Sequence, residues 1–543
     1  MTRDTENMAN AAMETTGTAG NCSETTSTPE EEKKAKCKTS LDKRFLAICP
    51  LDGRYAEIEE LLSPYFSEFA LVKARVFVEA NWLAFLLKNV QSPILDRINK
   101  HLDGCTDEIE AIAQDFDEED FLEVKAIEDT TKHDVKACEL FVAKRIEQLC
   151  LPKLKSYVHF GLTSEDVTNL AYAKLFDEFI HEVYVPELRA LINDIGEMAI
   201  KHAGTPMLAH THGQAATPTT VGKELAVFVR RLTIECEDIE NLLIYGKING
   251  ATGNYSALSV AFPEYNWEEL ACDFVENYIC VEFNPVTTQI ESHDYVASIL
   301  DDVAHINNII RDFDQDMWAY ISRNYFKLKV VKTEVGSSTM PHKVNPIKYE
   351  NSEGNIKIGN PICRALSDEL TRSREQRDLS DSTVQRNLGL AFGYSVQAIQ
   401  QTRQGIARSD VNEAALVADL ENNYAVLAEP IQTMLRKYGV PDAYDKLKAL
   451  TRGREITKDD IHEFVNSLDV LSEDDKERLL NLTPSEYIGY ASKIAEKWTT
   501  EYLYGWVLGH EMKGRLQFGA VLYLSFEDVA KKFNYWQSRK FIN

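Results

Sequence analysis

Residues 294–321, DYVASILDDVAHINNIIRDFDQDMWAYI, constrain this chain more than any other stretch. Apolar side chains recur at Val296, Leu300, Val303, Ile306, Ile310, Phe313, Met317 and Ile321. Steps of three and four place them on one face of a single helix. The average globular helix has about 11 residues. One this long, with an unbroken apolar stripe, needs other long helices to cover it. A second long helix is expected after Pro218, with Thr219 or Thr220 as N-cap, running through VGKELAVFVRRLTIECEDIENLLIY and ending at Gly246 as the C′ residue. Strand-like alternation is scarce and no internal repeat is visible. The expected fold class is all-α, with three helical domains around a central bundle of long helices.

The 543 residues divide by composition into five parts. Residues 1–42 are rich in Thr, Glu, Lys, Ser and Asn and poor in aromatics, the composition of a disordered tail. An N-terminal helical domain is expected over 43–152, the central bundle over 153–408, and a C-terminal helical domain over 409–498. Residues 499–543 form an aromatic-rich extension with Trp506 and Trp536, too apolar for a disordered tail. It is expected to pack on the C-terminal domain or a neighbouring subunit.

The formal net charge of −27 argues against nucleic acid or an anionic membrane as partner, since both require a basic face. It leaves room for an anionic small molecule, which a few local arginines suffice to bind. The ten scattered cysteines form no C-x-x-C pair and fit reduced thiols in the cytoplasm. The N-terminus carries no apolar signal-peptide core. The longest apolar run, FGAVLYL at 518–524, is far short of the about 20 residues a bilayer requires.

Four polar segments interrupt the helical background: TTKHD (130–134), GLTSEDVTN (161–169), LAHTHGQAATP (208–218) and GSSTMPHKVNP (336–346). Taken alone, each is a connector. The last ends in Asn345-Pro346, readable as N-cap and first residue of a helix, which puts Glu350 in its first two turns. A loop entering a helix offers free N–H groups to an anion. His210 and His212 alternate as a metal-ligating pair does at a strand end in a barrel, but no barrel pattern is present. No metal and no cofactor is expected.

GSSTMPHKVNP resembles the signature of the fumarase/aspartase superfamily, whose core is G-S-S-x-M-P-x-K-x-N. LDGRY (51–55), TKHDVKA (131–137), HTHGQ (210–214) and QRDLSDSTVQRN (376–387) narrow the resemblance to the bacterial type of adenylosuccinate lyase, over roughly residues 45–498. The resemblance implies an elimination that releases fumarate, giving AMP from adenylosuccinate and AICAR from the succinyl-carboxamide ribonucleotide SAICAR. It also implies a homotetramer whose active sites are shared between chains. Under it, Ser337 is the general base and His212 the general acid, with Glu350 orienting the histidine. Lys343 steadies the serine alkoxide and, with Asn345, binds a substrate carboxylate. Thr163 and Ser164 match the second carboxylate-binding loop. Lys132, His133, Asp134 and Gln289 match substrate contacts, and Ser338 and Asn351 flank the catalytic loop. Arg54, Tyr55, Arg377, Ser382 and Arg386 match the positions that hold the nucleotide; Ser382 and Arg386 are spaced to share one helix face.

The chain departs from the bacterial pattern in three places. Ala215 follows HGQ where Pro is usual, His210 stands where Arg is usual, and Lys132 replaces Asn or Arg. None removes a catalytic group. Two competing readings stay open at this point. Another fumarate-releasing lyase, such as argininosuccinate lyase or fumarase, lacks a use for the phosphate arginines. A catalytically silent structural relative has no chemical reason to keep Ser337, His212, Lys343 and Glu350 together.

Overall fold

The computed structural model describes residues 42–92, 95, 105–149, 151–331, 339–340 and 342–516. They fall into two compact units, divided after Ala56. In the first, Asp42 caps a short 3-10 turn, Lys43–Leu46, by accepting from the Arg44 N–H (3.0 Å). A second turn closes where the Tyr55 N–H donates to Pro50 O (2.8 Å).

The second unit is all-α apart from three two-stranded ribbons. Its first long helix, α1 (Glu68–Asn89), starts where the Ser67 hydroxyl accepts from the Ala70 N–H at 3.1 Å. Helix α1 is buried almost all round, including Arg75 and Glu79, which pair with Asp134 and His159. Helices α2 (Glu118–Thr131) and α3 (Asp134–Gln148) meet at Lys132 and His133. Lys132 turns left-handed (φ 55°) to end α2, and His133 Nδ1 caps α3 by accepting from the Lys136 N–H at 3.2 Å. A π turn joins α4 (Ser164–Phe179) to α5 (Val185–Lys201).

The segment 208–218, expected as an irregular loop, is a β-hairpin: β1 (Pro206–Thr211) pairs antiparallel with β2 (Gln214–Thr220). Two residues, His212 and Gly213, make the turn with φ of 53° and 73°. Positive φ at both central positions is the mirror-image turn whose twist matches the strands, and Gly213 supplies it without strain. The sparse alternation of these strands hid them from pattern reading. Helix α6 (Val221–Glu240) has Thr220 as N-cap, accepting from the Lys223 N–H at 3.2 Å. It ends at Asn241, before the expected Gly246, which instead lies in a short parallel ribbon, Tyr245–Gly246 with Glu282–Phe283.

Helix α7 (Asp294–Ser322) carries the apolar stripe, and Val296, Leu300, Val303, Ile306, Ile310, Phe313 and Met317 are all buried. Each such side chain contributes roughly 1.5–3 kcal/mol by leaving water. Helix α8 (Ile347–Leu370) follows, then the short α9 (Ser380–Gln385) and α10 (Leu388–Ala407). Helices α5, α6, α7, α8 and α10 pack as the central bundle. Buried polar bonds fix their register: Asn307 Nδ2 donates to Asn360 Oδ1 (2.9 Å), and Ser395 Oγ donates to Asn307 Oδ1 (2.7 Å).

Shorter helices between Glu413 and Asn481 enclose their own core of Leu427, Ile431, Leu435, Leu447, Ile461 and Val465. The last helix, α11 (Ala491–Leu516), runs unbroken past residue 499 and packs on α5 and α6. Its Leu503 fills the space left by Gly196, where an added Cβ would meet the leucine at 2.7 Å. The described start of the extension thus lies against the central bundle. Residues 517–543 and the tail up to residue 41 lie outside the described residues.

Candidate active site

The site is built from the N-terminus of α4. The Thr163 N–H donates to Asp166 Oδ2 at 2.8 Å, which turns the chain into the helix and leaves Ser164 in the first turn. Asp166 is wholly buried and bonds Lys247 Nζ at 2.8 Å, also wholly buried. The same carboxylate accepts from the N–H groups of Asn249 (3.1 Å) and Gly250 (3.1 Å). A carboxylate with that many donors is a fixed anchor. It holds the segment Asn249–Thr252 against α4, and Ala251 O then accepts from Gln289 Nε2 at 3.0 Å. Gln289 Oε1 in turn accepts from Arg377 Nη1 at 3.3 Å.

These links surround an open cleft of about 530 Å³, lined by His133, Ser164, Ala251, Thr252, Gln289, Gln376 and Arg377 among others. Four residues expected at the site, His133, Ser164, Gln289 and Arg377, come together here from four separate segments. Asp134 and Arg386 stand beside it. Arg386 bonds Glu68 (2.8 Å) and Asp134 (3.2 Å), and Asp134 also takes Arg75 at 2.8 Å. Burial works to raise the Asp134 carboxyl, but Arg75, the Val135 amide and Arg386 outweigh it and hold it below the usual carboxylate range. Ser382, in the first turn of α9, is half-buried.

Other expected residues lie elsewhere on the chain. Lys132 is on the surface, 3.9 Å from Asp129. His212 is exposed at the hairpin tip, and no hydrogen bond or ion pair engages its ring among the described residues. His210 lies on β1, its ring 6.3 Å from that of Tyr325. Arg54 and Tyr55 belong to the other compact unit. Ser337 and Ser338 lie outside the described residues. Beyond them, the Lys343 N–H donates to Met340 O (3.1 Å), and the lysine is exposed. Helix α8 begins at Ile347 with Pro346 in the N-cap position, one residue later than expected, so Asn345 precedes the cap. Glu350 is in the first turn as expected, but its carboxylate accepts from Trp318 Nε1 (3.2 Å), and this chain's His212 does not bond it. Asn351 accepts from Asn355 Nδ2 at 2.9 Å.

Sequence reading missed Glu165, Asp166, Lys247, Asn249, Thr252 and His293. A signal was present in SED (164–166), where two acids directly follow Ser164, and in KINGATGN (247–254). Glu165 (2% exposed) forms an ion pair with Arg377 Nη2 at 3.1 Å. With His293 and Asp381 it forms a buried group whose ligating atoms lie within 4.8 Å of one another. That donor set suits a cation, and the Arg377 guanidinium already brings positive charge to it.

Comparison with known proteins adds an independent line. Residues 62–358 match the family described as Lyase, and residues 373–488 match the one described as Adenylosuccinate lyase C-terminal. The chain is 45% identical over 456 residues to the adenylosuccinate lyase of Haemophilus influenzae, covering 83% of this chain and 98% of that protein. It is 43% identical over 457 residues to the Escherichia coli K12 adenylosuccinate lyase, with the same coverage. In fold it is similar to the 3-carboxy-cis,cis-muconate lactonizing enzyme of Pseudomonas putida, with a TM-score of 0.63 at 19% identity, covering 82% of this chain and 97% of that one.

Proposed function

Because this chain belongs to the adenylosuccinate lyase family, within the fumarase/aspartase superfamily, and is a lyase of purine nucleotide biosynthesis, we propose that it releases fumarate from adenylosuccinate and from SAICAR, leaving AMP and AICAR. The observation that carries the reading is the cleft, which gathers His133, Ser164, Gln289 and Arg377 from distant segments.

The reaction breaks a carbon–nitrogen bond next to a carbon that must first lose a proton. That proton sits beside a carboxylate and is very weakly acidic. The carbanion forms only if its charge spreads into the carboxylate and meets fixed donors there. Ser164, at the N-terminus of α4, offers its hydroxyl and the positive end of the helix to one substrate carboxylate. Ser337, as an alkoxide steadied by Lys343, takes the proton and becomes the neutral hydroxyl. His212 gives a proton to the departing nitrogen as the C–N electron pair moves onto it. Glu350 orients the histidine, and Asn345, Ser338 and Asn351 hold the substrate's succinyl end. The guanidinium forks of Arg377 and Arg386, with Ser382, take the phosphate; His133, Asp134 and Lys132 complete the nucleotide side.

In one chain Glu350 bonds Trp318, and His212, exposed at the hairpin tip, has no side-chain partner among the described residues. This supports a shared site, in which the His212 hairpin of one subunit meets Glu350 and Ser337 of another within a homotetramer. Exposed apolar residues on the bundle, including Trp318, Ile347 and Ile358, favour such an assembly. Reduced, scattered thiols favour the cytoplasm. The test is product analysis: the purified chain is incubated with adenylosuccinate and, separately, with SAICAR. Equal amounts of fumarate and AMP, or of fumarate and AICAR, are expected. Fumarate from argininosuccinate but from neither nucleotide would overturn the proposal.

A further inference from the structure

Arg377 reaches the cleft from a position that is only partly open, its side chain 18% exposed. Its guanidinium is held at two points, by Gln289 Oε1 (3.3 Å) from the cleft wall and by Glu165 Oε2 (3.1 Å) from behind. Glu165 sits in the first turn of α4, next to Ser164. It is 2% exposed, and among the described residues neither its Oε1 nor Arg377 Nε has a hydrogen-bond partner. Burial pushes the Glu165 carboxyl upward, and Arg377 pulls against that, followed by His293. A buried carboxylate with one good partner depends on that partner, and the dependence is mutual. Around the pair, His293 bonds Gln385 Nε2 (3.1 Å), and its Nε2 is 4.0 Å from Asp381. One buried group therefore joins α4, the segment before α7, and α9.

We propose that Glu165 is a positioning residue for substrate phosphate: it aims the Arg377 guanidinium into the cleft and ties it to the Ser164 end of α4. The phosphate-binding and carboxylate-binding ends of the site are thereby set at a fixed separation. This rests on the reading of Arg377 as a phosphate ligand. Glu165 touches no substrate and acts only through the arginine.

The experiment is a double-mutant cycle with Glu165→Gln and Arg377→Ala, read as KM and kcat on adenylosuccinate. Glu165→Gln alone is expected to raise KM about tenfold with kcat within about threefold; in the Arg377→Ala background its further effect on KM is below about twofold. Against the same substrate lacking its phosphate, Glu165→Gln and wild type are expected to have equal kcat/KM. An undiminished effect in the Arg377→Ala background, or an equal loss on the substrate without phosphate, would overturn the proposal. Glu165→Asp keeps the charge at shorter reach and serves if the glutamine variant folds poorly; its smaller KM effect must also vanish without Arg377. AMP binding, followed by calorimetry without turnover, reads the same coupling independently. Wild type that binds AMP with this coupling yet leaves adenylosuccinate intact would sink the assigned reaction and leave the role of Glu165 standing.

Discussion

Replacing Asp166 with asparagine tests whether the cleft is held open by a buried charge pair. In the native chain the Asp166 carboxylate receives Lys247 Nζ at 2.8 Å and the N–H groups of Thr163, Asn249 and Gly250, with neither charged side chain exposed. Asparagine keeps the size but removes the charge, and its amide N–H₂ faces donors. The Lys247 ammonium is then left with Gly250 O at 3.3 Å as its hydrogen-bond partner. Removing one partner of a buried pair typically costs about 3–5 kcal/mol, whereas replacing both by apolar groups is far milder. Urea unfolding should therefore show Asp166→Asn destabilised by about 3–5 kcal/mol, and Asp166→Asn with Lys247→Met less destabilised than Asp166→Asn alone. The segment Asn249–Thr252 walls the cleft, so KM should rise with the loss of stability. A single variant within about 0.5 kcal/mol of wild type would refute the reasoning. So would a double variant as unstable as the sum of the singles.

Three further outcomes follow from the bundle and the hairpin. Burial pushes the Asp314 carboxyl well above its ordinary range, with the Ser352 and Thr402 hydroxyls pulling it back only in part. An acid raised in the folded state contributes stability at low pH and loses it as pH rises, so Asp314→Asn should gain on wild type by on the order of 1 kcal/mol per unit as pH rises above about 4, the ordinary carboxylate value; a gap in unfolding free energy that is flat with pH would contradict this. Truncation after residue 498 removes Leu503 from Gly196 and shortens α11 to its first eight residues, so the melting temperature should fall; an unchanged value would refute the packing role. Mixing inactive His212→Ala and Ser337→Ala proteins should restore part of the activity once subunits exchange, and no recovery after verified exchange would count against shared sites.

Much of the fold was legible because its strongest signal is periodic. The stripe from Val296 to Met317 is the buried face of α7. Of the two threonines expected as N-cap after Pro218, Thr219 and Thr220, it is Thr220 that caps α6. Signals failed where local rules compete. The hairpin at 206–220 carries no clean alternation, and its positive-φ histidine is unusual for a turn. Gly246 was a good C′ candidate, but the chain leaves α6 at Asn241 to pair Tyr245–Gly246 with Glu282–Phe283, a long-range choice no local pattern reports. At the site, motif resemblance reached His133, Ser164, Gln289 and Arg377, which the fold does gather. It passed over Asp166, Lys247 and Glu165, since a buried ion pair looks in sequence like two surface charges. Their partners lie at the far end of chain loops, and only the folded geometry brings them together.

The most direct test of the elimination is substrate binding and turnover measured side by side in Ser337→Ala and His212→Ala. If the serine removes the proton and the histidine supplies one, each variant should bind adenylosuccinate with nearly unchanged affinity. Fumarate release should fall by about 10²–10⁴-fold in each, the range expected when a positioned acid or base is lost. Turnover near the wild-type rate in either variant, with substrate binding intact, would contradict the assignment of that residue and with it the proposed chemistry.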